Sequence, residues 1–248
     1  MQLLSTLASS IKEPLKKLRR AANFWLAERT SAHLEALRTA ELNSVIHLLP
    51  PRARVLEVGG GAGWQAVQLA RLGYEVTSID VGDSSYAPEA VFPITVYDGR
   101  NIPFPDASFD VVFSSNVLEH VAHIDDFLRE LQRVTAPNGC GVHILPSSSW
   151  RVWTIATGII KSWRVGPPHG EHASNALAEI YYFRADWWRR RFRAAGWRVD
   201  RAGRTGLFYT GASIMDRRLG IGARRFAANF LGSSCNWFLL RPQAGVDG

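Results

Sequence analysis

Apolar and polar positions at the start of the chain alternate with helical spacing. From residue 2 to residue 48 the apolar side chains recur every three or four positions, which predicts N-terminal helices. One helix is expected from about Ala32 to Leu49, where Pro50-Pro51 cannot continue it. Basic residues occupy most of the opposite side of residues 1–25. Such a stripe either covers a protein core or lies on an anionic membrane surface.

From Ala53 onward the pattern changes to short apolar runs that alternate with helical segments. Strands alternating with helices at this spacing predict an α/β fold with a doubly wound, mostly parallel sheet and helices on both faces. In such sheets ligands bind beyond the carboxyl ends of the strands. The strands are predicted at Arg54–Val58, Glu75–Ile79, Pro93–Tyr97, Phe109–Ser114, Gly141–Leu145, Trp197–Arg201 and Asn236–Leu240, and the helices at Gln65–Leu72, Asp125–Val134 and Arg184–Ala195.

Residues 146–185 interrupt this alternation. They contain an aromatic, apolar run from Trp150 to Trp163 and then a loop that carries His169 and His172. A long irregular insertion in a compact domain is typical of a lid or a substrate-binding element. We therefore expect an N-terminal helical segment (1–49) and one domain (50–248) that carries a lid insertion (146–185).

Composition narrows the class of protein further. The 248 residues are 46% hydrophobic, which is too apolar for a disordered chain and sufficient for a large core. The two cysteines cannot form a disulfide framework, and no apolar run reaches the about 18 residues of a membrane span. These features predict a cytoplasmic protein, with peripheral membrane contact through residues 1–25 as an open alternative. The net charge of +7 favours an anionic partner without choosing among phosphate, nucleic acid and an acidic membrane.

The turn after the first predicted strand is rich in glycine. Gly59, Gly61 and Gly63 lie between that strand and the next helix, where glycine permits positive φ angles and close approach of a ligand to the main chain. No Gly-Lys-Ser/Thr phosphate-binding loop occurs, and the large Trp64 stands where a dinucleotide-binding motif needs a small residue. The turn therefore predicts a nucleotide-like ligand of another kind.

Two carboxylates follow neighbouring strands. Asp80 ends the second strand, and a carboxylate there can accept hydrogen bonds from both hydroxyls of a ribose. Asp98 ends the third strand and is expected to reach the same cleft. The glycine turn and these two acids together predict a site for an adenosine-containing cofactor.

These segments resemble the class I S-adenosylmethionine-dependent methyltransferases, in the branch that methylates small molecules. Glu57–Gly63 is similar to the E/D-x-G-x-G-x-G motif of that family. Phe109–Val121 resembles its fourth-strand motif, and Leu131–Cys140 resembles the segment that leads into its fifth strand. The resemblance covers about residues 50–146. It implies a Rossmann-like sheet of seven strands, the last of them antiparallel, and S-adenosyl-L-methionine as the cofactor.

The resemblance also implies a set of binding residues. It places Asp80 on the ribose, Asp98 on the adenine amino group with the following N–H on the ring, and Glu57 below the amino-acid end of the cofactor. The complete set of expected cofactor-binding residues is Glu57, Gly59, Gly61, Gly63, Asp80, Val81, Asp98, Gly99 and Asn116.

Three histidines are candidates for a catalytic role, because a general base assists methyl transfer to a hydroxyl group. His120 follows the fourth strand, and His169 and His172 lie in the insertion, where groups that face an acceptor are expected. The His-x-x-His spacing with Glu171 also permits a metal site. No metal is expected, since cysteine partners and a helical frame are absent.

The expected function is methyl transfer, in line from the cofactor, to oxygen of a small-molecule or lipid-linked acceptor such as a glycan or a metabolite. One alternative is an RNA methyltransferase, which the positive charge and the Arg- and Trp-rich segment 184–193 favour. No nucleic-acid partner is expected, because Ser115-Asn116-Val117-Leu118 replaces the N/D-P-P-Y/F motif of enzymes that methylate base amines. A second alternative is a non-catalytic, membrane-associated protein with the same fold.

Overall fold

The computed structural model describes residues 31–82, 90–211 and 219–243. Seven strands in these ranges form one sheet. They are β1 (Arg54–Val58), β2 (Glu75–Val81), β3 (Ile94–Tyr97), β4 (Phe109–Ser115), β5 (Thr135–Pro146), β6 (Trp197–Arg204) and β7 (Cys235–Pro242). The basic stripe of residues 1–25 lies outside the described residues.

The strand order of the sheet is β3-β2-β1-β4-β5-β7-β6. Strands β1 to β5 pair in parallel, whereas β7 runs antiparallel to both β5 and β6. This arrangement confirms the Rossmann-like, mostly parallel sheet expected from the sequence. The order reverses between β1 and β4, and a crevice for ligands is expected at the carboxyl ends of these two strands.

Helices cover both faces of the sheet. They are α1 (Ser31–Val45), α2 (Trp64–Arg71), α3 (Ile124–Val134), α4 (Ser148–Ser162), the single-turn α5 (Glu179–Tyr182), α6 (Ala185–Ala194) and α7 (Ile221–Leu231), with 3₁₀ turns at Ile46–Leu48 and Leu118–His120. Successive residues of a strand enter different cores: Val55 belongs to an apolar cluster with α1, and Leu56 to a second cluster with α3 and α6. This two-residue period buries the central strands on both faces, so they read as continuous apolar runs.

The insertion differs from the irregular segment that the sequence predicts. Its first part is the 15-residue helix α4, and its remainder contains α5. Ser147 caps α4, since its side-chain oxygen accepts the N–H of Trp150 at 3.1 Å. Bulky and β-branched residues such as Val152 and Ile155 weaken the helical signal, which explains the difference.

Candidate functional site

A cleft of about 820 Å³ opens where the strand order reverses. Its floor follows the carboxyl ends of β1, β2, β3 and β4, and α1 forms one wall with Leu34, Leu37 and Arg38. Residues from the insertion, Trp150 and His169 among them, also line the cleft. The topology of the chain therefore brings the motif segments of the sequence into one cavity.

The glycine turn forms the part of the floor next to β1. The φ angles are +72° at Gly59 and +56° at Gly61, in the left-handed region that favours glycine. A β-carbon at Gly60 would lie 2.0 Å from Oγ of Ser78, so no larger residue fits. Gly63 lies outside the cleft wall and, with φ of +80°, turns the chain into α2. The turn thus presents bare backbone to the cleft.

Asp80 joins this turn to the end of β2. Its Oδ2 accepts the N–H of Gly61 at 2.8 Å, and its Oδ1 accepts the N–H of Val81 at 2.8 Å. Asp80 and Val81 both line the cleft. Each carboxylate oxygen has a second lone pair, so Asp80 can fix the turn and still accept hydrogen bonds from a ligand.

Asp98 lines the cleft together with Gly99 and also organises its own turn. Its Oδ1 accepts the N–H groups of Arg100 and Asn101 at 2.8 and 2.7 Å. These hydrogen bonds, led by the one from Asn101, lower the pKa of the Asp98 carboxyl. The side chain is therefore a fixed anion at the end of β3.

Glu57 does not reach the cleft wall. The side chain is buried beneath the glycine turn, where its Oε2 accepts the hydroxyl of Ser78 at 2.6 Å. Burial raises the pKa of Glu57 to about 7. The Glu57 side chain thus joins β1 to β2, and its Oε2 lies 3.1 Å from the position that a β-carbon at Gly60 would take.

Sequence reasoning missed a buried polar cluster behind the wall formed by α1. Glu41 is fully buried, and its carboxylate accepts hydrogen bonds from Arg38 at 2.6 Å, from Asn116 and Ser115 at 3.3 Å, and from Tyr209. Arg38 and Asn116 line the cleft as well. The available signal was a pair of opposite charges three residues apart on a helix face that is otherwise apolar.

The three candidate histidines separate into two groups. The rings of His120 and His169 line the cleft with their centroids 4.6 Å apart. The ring of His172 instead packs against the rings of Trp187 and Trp188, with centroid distances of 5.1 and 5.9 Å. Burial lowers the pKa of both His120 and His172, so both imidazoles are neutral near pH 7. Only His120 and His169 are therefore placed to meet a molecule in the cleft.

The segment behind the RNA hypothesis is an amphipathic helix. Trp187, Trp188 and Phe192 on α6 are buried in the core, and Arg191 donates to Asp125 at 2.6 Å. These rings are not accessible for stacking on bases.

Among the described residues, no helix combines the length and the apolar character that crossing a membrane requires.

Comparisons with known proteins agree with this architecture. Residues 56–142 match the family model described as a methyltransferase domain. The chain is 33% identical over 143 residues to the biotin biosynthesis bifunctional protein BioHC of Cellvibrio japonicus, a match that covers 54% of this chain and 28% of that protein. It is 31% identical over 142 residues to a ubiquinone biosynthesis O-methyltransferase of Paramagnetospirillum magneticum, covering 53% and 55% of the two chains. The chain thus spans about half or less of the length of these curated relatives.

The fold also matches solved structures. One of them is an S-adenosylmethionine-dependent methyltransferase from Mesorhizobium loti, which aligns with a TM-score of 0.56. The alignment covers 82% of this chain and 97% of that one, at 16% sequence identity. The family match lies on the glycine turn and the strand ends that build the cleft. Residues 56–142 thus match a methyltransferase domain, and the fold resembles that of the Mesorhizobium loti protein.

Proposed function

We propose that this protein transfers the methyl group of S-adenosylmethionine to an oxygen atom of a small-molecule or lipid-linked acceptor. The observation that carries the proposal is the composition of one cleft. The glycine turn, Asp80 and Asp98 line this cleft together with the imidazoles of His120 and His169. We refer to the part around the glycine turn, Asp80 and Asp98 as the first, or cofactor, end and to the part around His120 and His169 as the acceptor end. The cofactor supplies a methyl group that is already activated by a positively charged sulfur atom.

The first end of the cleft fits this cofactor. Asp80 offers paired oxygens for a ribose, and Asp98 and Gly99 follow the neighbouring strand at the position expected for the adenine. The N–H groups of Gly59 and Gly60 donate to the carbonyl oxygen of Ile79 at 2.8 and 3.1 Å, so the turn offers a ligand close approach to bare backbone rather than free donors. We assign Val81 and Asn116 to the same wall, and Glu57 and Gly63 to the support of the turn.

Arg38 adds a cation to this wall. Its guanidinium lines the cleft while it is paired with Glu41. A planar guanidinium binds carboxylates through two parallel hydrogen bonds, so Arg38 fits the carboxylate of the amino-acid part of the cofactor.

The other end of the cleft is where an acceptor would react. A neutral His120 can accept the proton that a hydroxyl loses on methylation. His169 packs on the ring of Trp150 at 4.8 Å, which narrows this end and helps to exclude water. We assign to His172 a structural role in the core, since its ring faces two tryptophans.

The choice of oxygen and of a small acceptor rests on the relatives. The Paramagnetospirillum magneticum relative is named an O-methyltransferase of ubiquinone biosynthesis. The cleft volume of about 820 Å³ is in the range of pockets that hold small molecules.

Methyl transfer is tested with labelled cofactor. The protein is incubated with S-adenosylmethionine carrying a deuterated methyl group and a small-molecule extract of its host cells, and products are identified by mass spectrometry. We expect a labelled product whose rate of formation falls at least tenfold in His120→Ala and is unchanged in His47→Ala, a control at an exposed site outside the cleft. Binding of the cofactor without any labelled product would favour the non-catalytic alternative instead.

A further inference from the structure

Glu119 is a buried carboxylate that the proposed function does not use. It lies in the 3₁₀ turn Leu118–His120, and its side chain is fully shielded from solvent. Within the described part of the chain, neither carboxylate oxygen has a hydrogen-bond partner. Burying a carboxylate in this way is unfavourable unless a proton or a cation compensates it.

Two imidazoles stand beside this carboxylate. Nε2 of His120 is 3.8 Å from Oε1 of Glu119, and one donor atom from each of Glu119, His120 and His169 lies within 4.8 Å of the other two. His120 follows Glu119 in sequence, whereas His169 comes from the insertion. The group therefore exists only in the folded chain.

The loop that carries His169 is held over Glu119 by other contacts. The backbone N–H of His169 donates to Glu179 at 2.7 Å, and Glu179 forms a buried ion pair with Arg151 at 2.7 Å. The N–H of Glu171 donates to the carbonyl oxygen of Glu119 at 2.9 Å. These bonds fix the backbone on both sides of the cluster before any ligand binds.

We propose that Glu119, His120 and His169 bind a divalent transition-metal ion at the acceptor end of the cleft. Two imidazoles and one carboxylate are a donor set that suits zinc or ferrous iron, whereas magnesium and calcium prefer oxygen ligands alone. Metal–ligand bonds of about 2.0–2.2 Å require donor atoms somewhat closer together than they are here, so small side-chain rotations would complete the site.

The role of this ion, though not its binding, rests on the proposed function. Three protein ligands leave at least one coordination position for an acceptor oxygen. A hydroxyl bound to the cation loses its proton at lower pH, because the positive charge stabilises the resulting oxyanion. With the ion bound, His120 would act as a ligand, and the proton would pass to solvent.

The test measures metal binding directly on the full chain. Protein freed of metal by chelation is titrated with Zn²⁺ by calorimetry and with Co²⁺ by visible absorption, which reports the ligand geometry. We expect one site, and at least tenfold weaker binding in Glu119→Gln and in His169→Ala. His47→Ala is the matched control and should bind like the unmodified protein, because His47 is exposed and outside the cleft.

Two results would overturn the inference: no binding of either ion at micromolar concentration, or equal affinity in Glu119→Gln and the unmodified protein. Glu119→Gln keeps the shape of the side chain and removes its charge, so it remains informative if His169→Ala fails to fold. A parallel titration with S-adenosylhomocysteine separates the two proposals. Failure of the metal titrations alone leaves the proposal of methyl transfer with His120 as the base standing, whereas absence of cofactor binding contradicts the proposed function itself.

Discussion

The wall formed by α1 depends on one buried carboxylate, and replacing Glu41 by Gln should weaken both the fold and the cleft. Glu41 is fully buried and accepts hydrogen bonds from four side chains, all of which line the cleft: Arg38, Ser115, Asn116 and Tyr209. Glutamine has nearly the same shape, so the change removes charge and one acceptor without leaving a cavity.

The expected magnitude follows from these contacts. Glutamine offers one acceptor oxygen in place of two, and Arg38, whose side chain is 22% exposed, loses its ion-pair partner. Hydrogen bonds to charged groups contribute about 1.5–3 kcal/mol each, and an unpaired cation in a partly buried site adds to the cost. We expect the free energy of unfolding to fall by about 2–4 kcal/mol, with weaker binding of S-adenosylhomocysteine.

Urea unfolding followed by circular dichroism measures the free energy of unfolding, and calorimetry measures the affinity for S-adenosylhomocysteine. The matched control is Glu35→Gln, at an exposed position of the same helix, where a change within about 0.5 kcal/mol is expected. Equal unfolding free energies for the two variants would show that the Glu41 cluster does not hold α1 to the sheet.

Three further substitutions or conditions test other parts of the structure. Gly60→Ala should abolish cofactor binding, because the added β-carbon would lie 2.0 Å from Oγ of Ser78. In the control Gly222→Ala, in α7, the added β-carbon has no atom within 4 Å, and the variant should bind the cofactor normally. Equal cofactor binding by the two variants would refute the description of the turn. Burial lowers the pKa of His143 to about 3, so the unfolded state binds a proton that the folded state excludes. The free energy of unfolding should therefore fall as pH decreases from about 6.5 toward 3, and less steeply in His143→Gln. Glu179→Gln should slow methyl transfer more than it weakens cofactor binding, because Glu179 holds the loop of the insertion; a larger loss of binding in calorimetry would contradict this.

The sheet and the residues at the cofactor end of the cleft can be predicted from the sequence for a physical reason. Central parallel strands are buried on both faces, so Arg54–Val58 and Phe109–Ser115 read as apolar runs. Ligands bind where such strands end, which directs attention to Asp80 and Asp98 without any knowledge of side-chain contacts. The position of Glu57 was harder to predict, since its side chain points beneath the turn rather than into the cleft.

The acceptor end depends on contacts that leave no local signal. His169 and His172 are close in sequence, yet only His169 lines the cleft, beside His120 from another part of the chain. The hydrogen bonds of His169 and Glu171 to Glu179 and Glu119 set this arrangement, and they form only when the insertion folds back. The sequence pattern does not predict helix α4, because its aromatic and β-branched residues have weak helical preference.

The central claim is that the cleft binds the adenosine part of S-adenosylmethionine through Asp80. Its most direct test is a calorimetric titration with S-adenosylhomocysteine of the unmodified protein, of Asp80→Ala and of Asp126→Ala, an exposed control outside the cleft. We expect one binding site, at least tenfold weaker affinity in Asp80→Ala with the fold retained, and no change in the control. Unchanged affinity in Asp80→Ala, or no binding by the unmodified protein, would contradict the account.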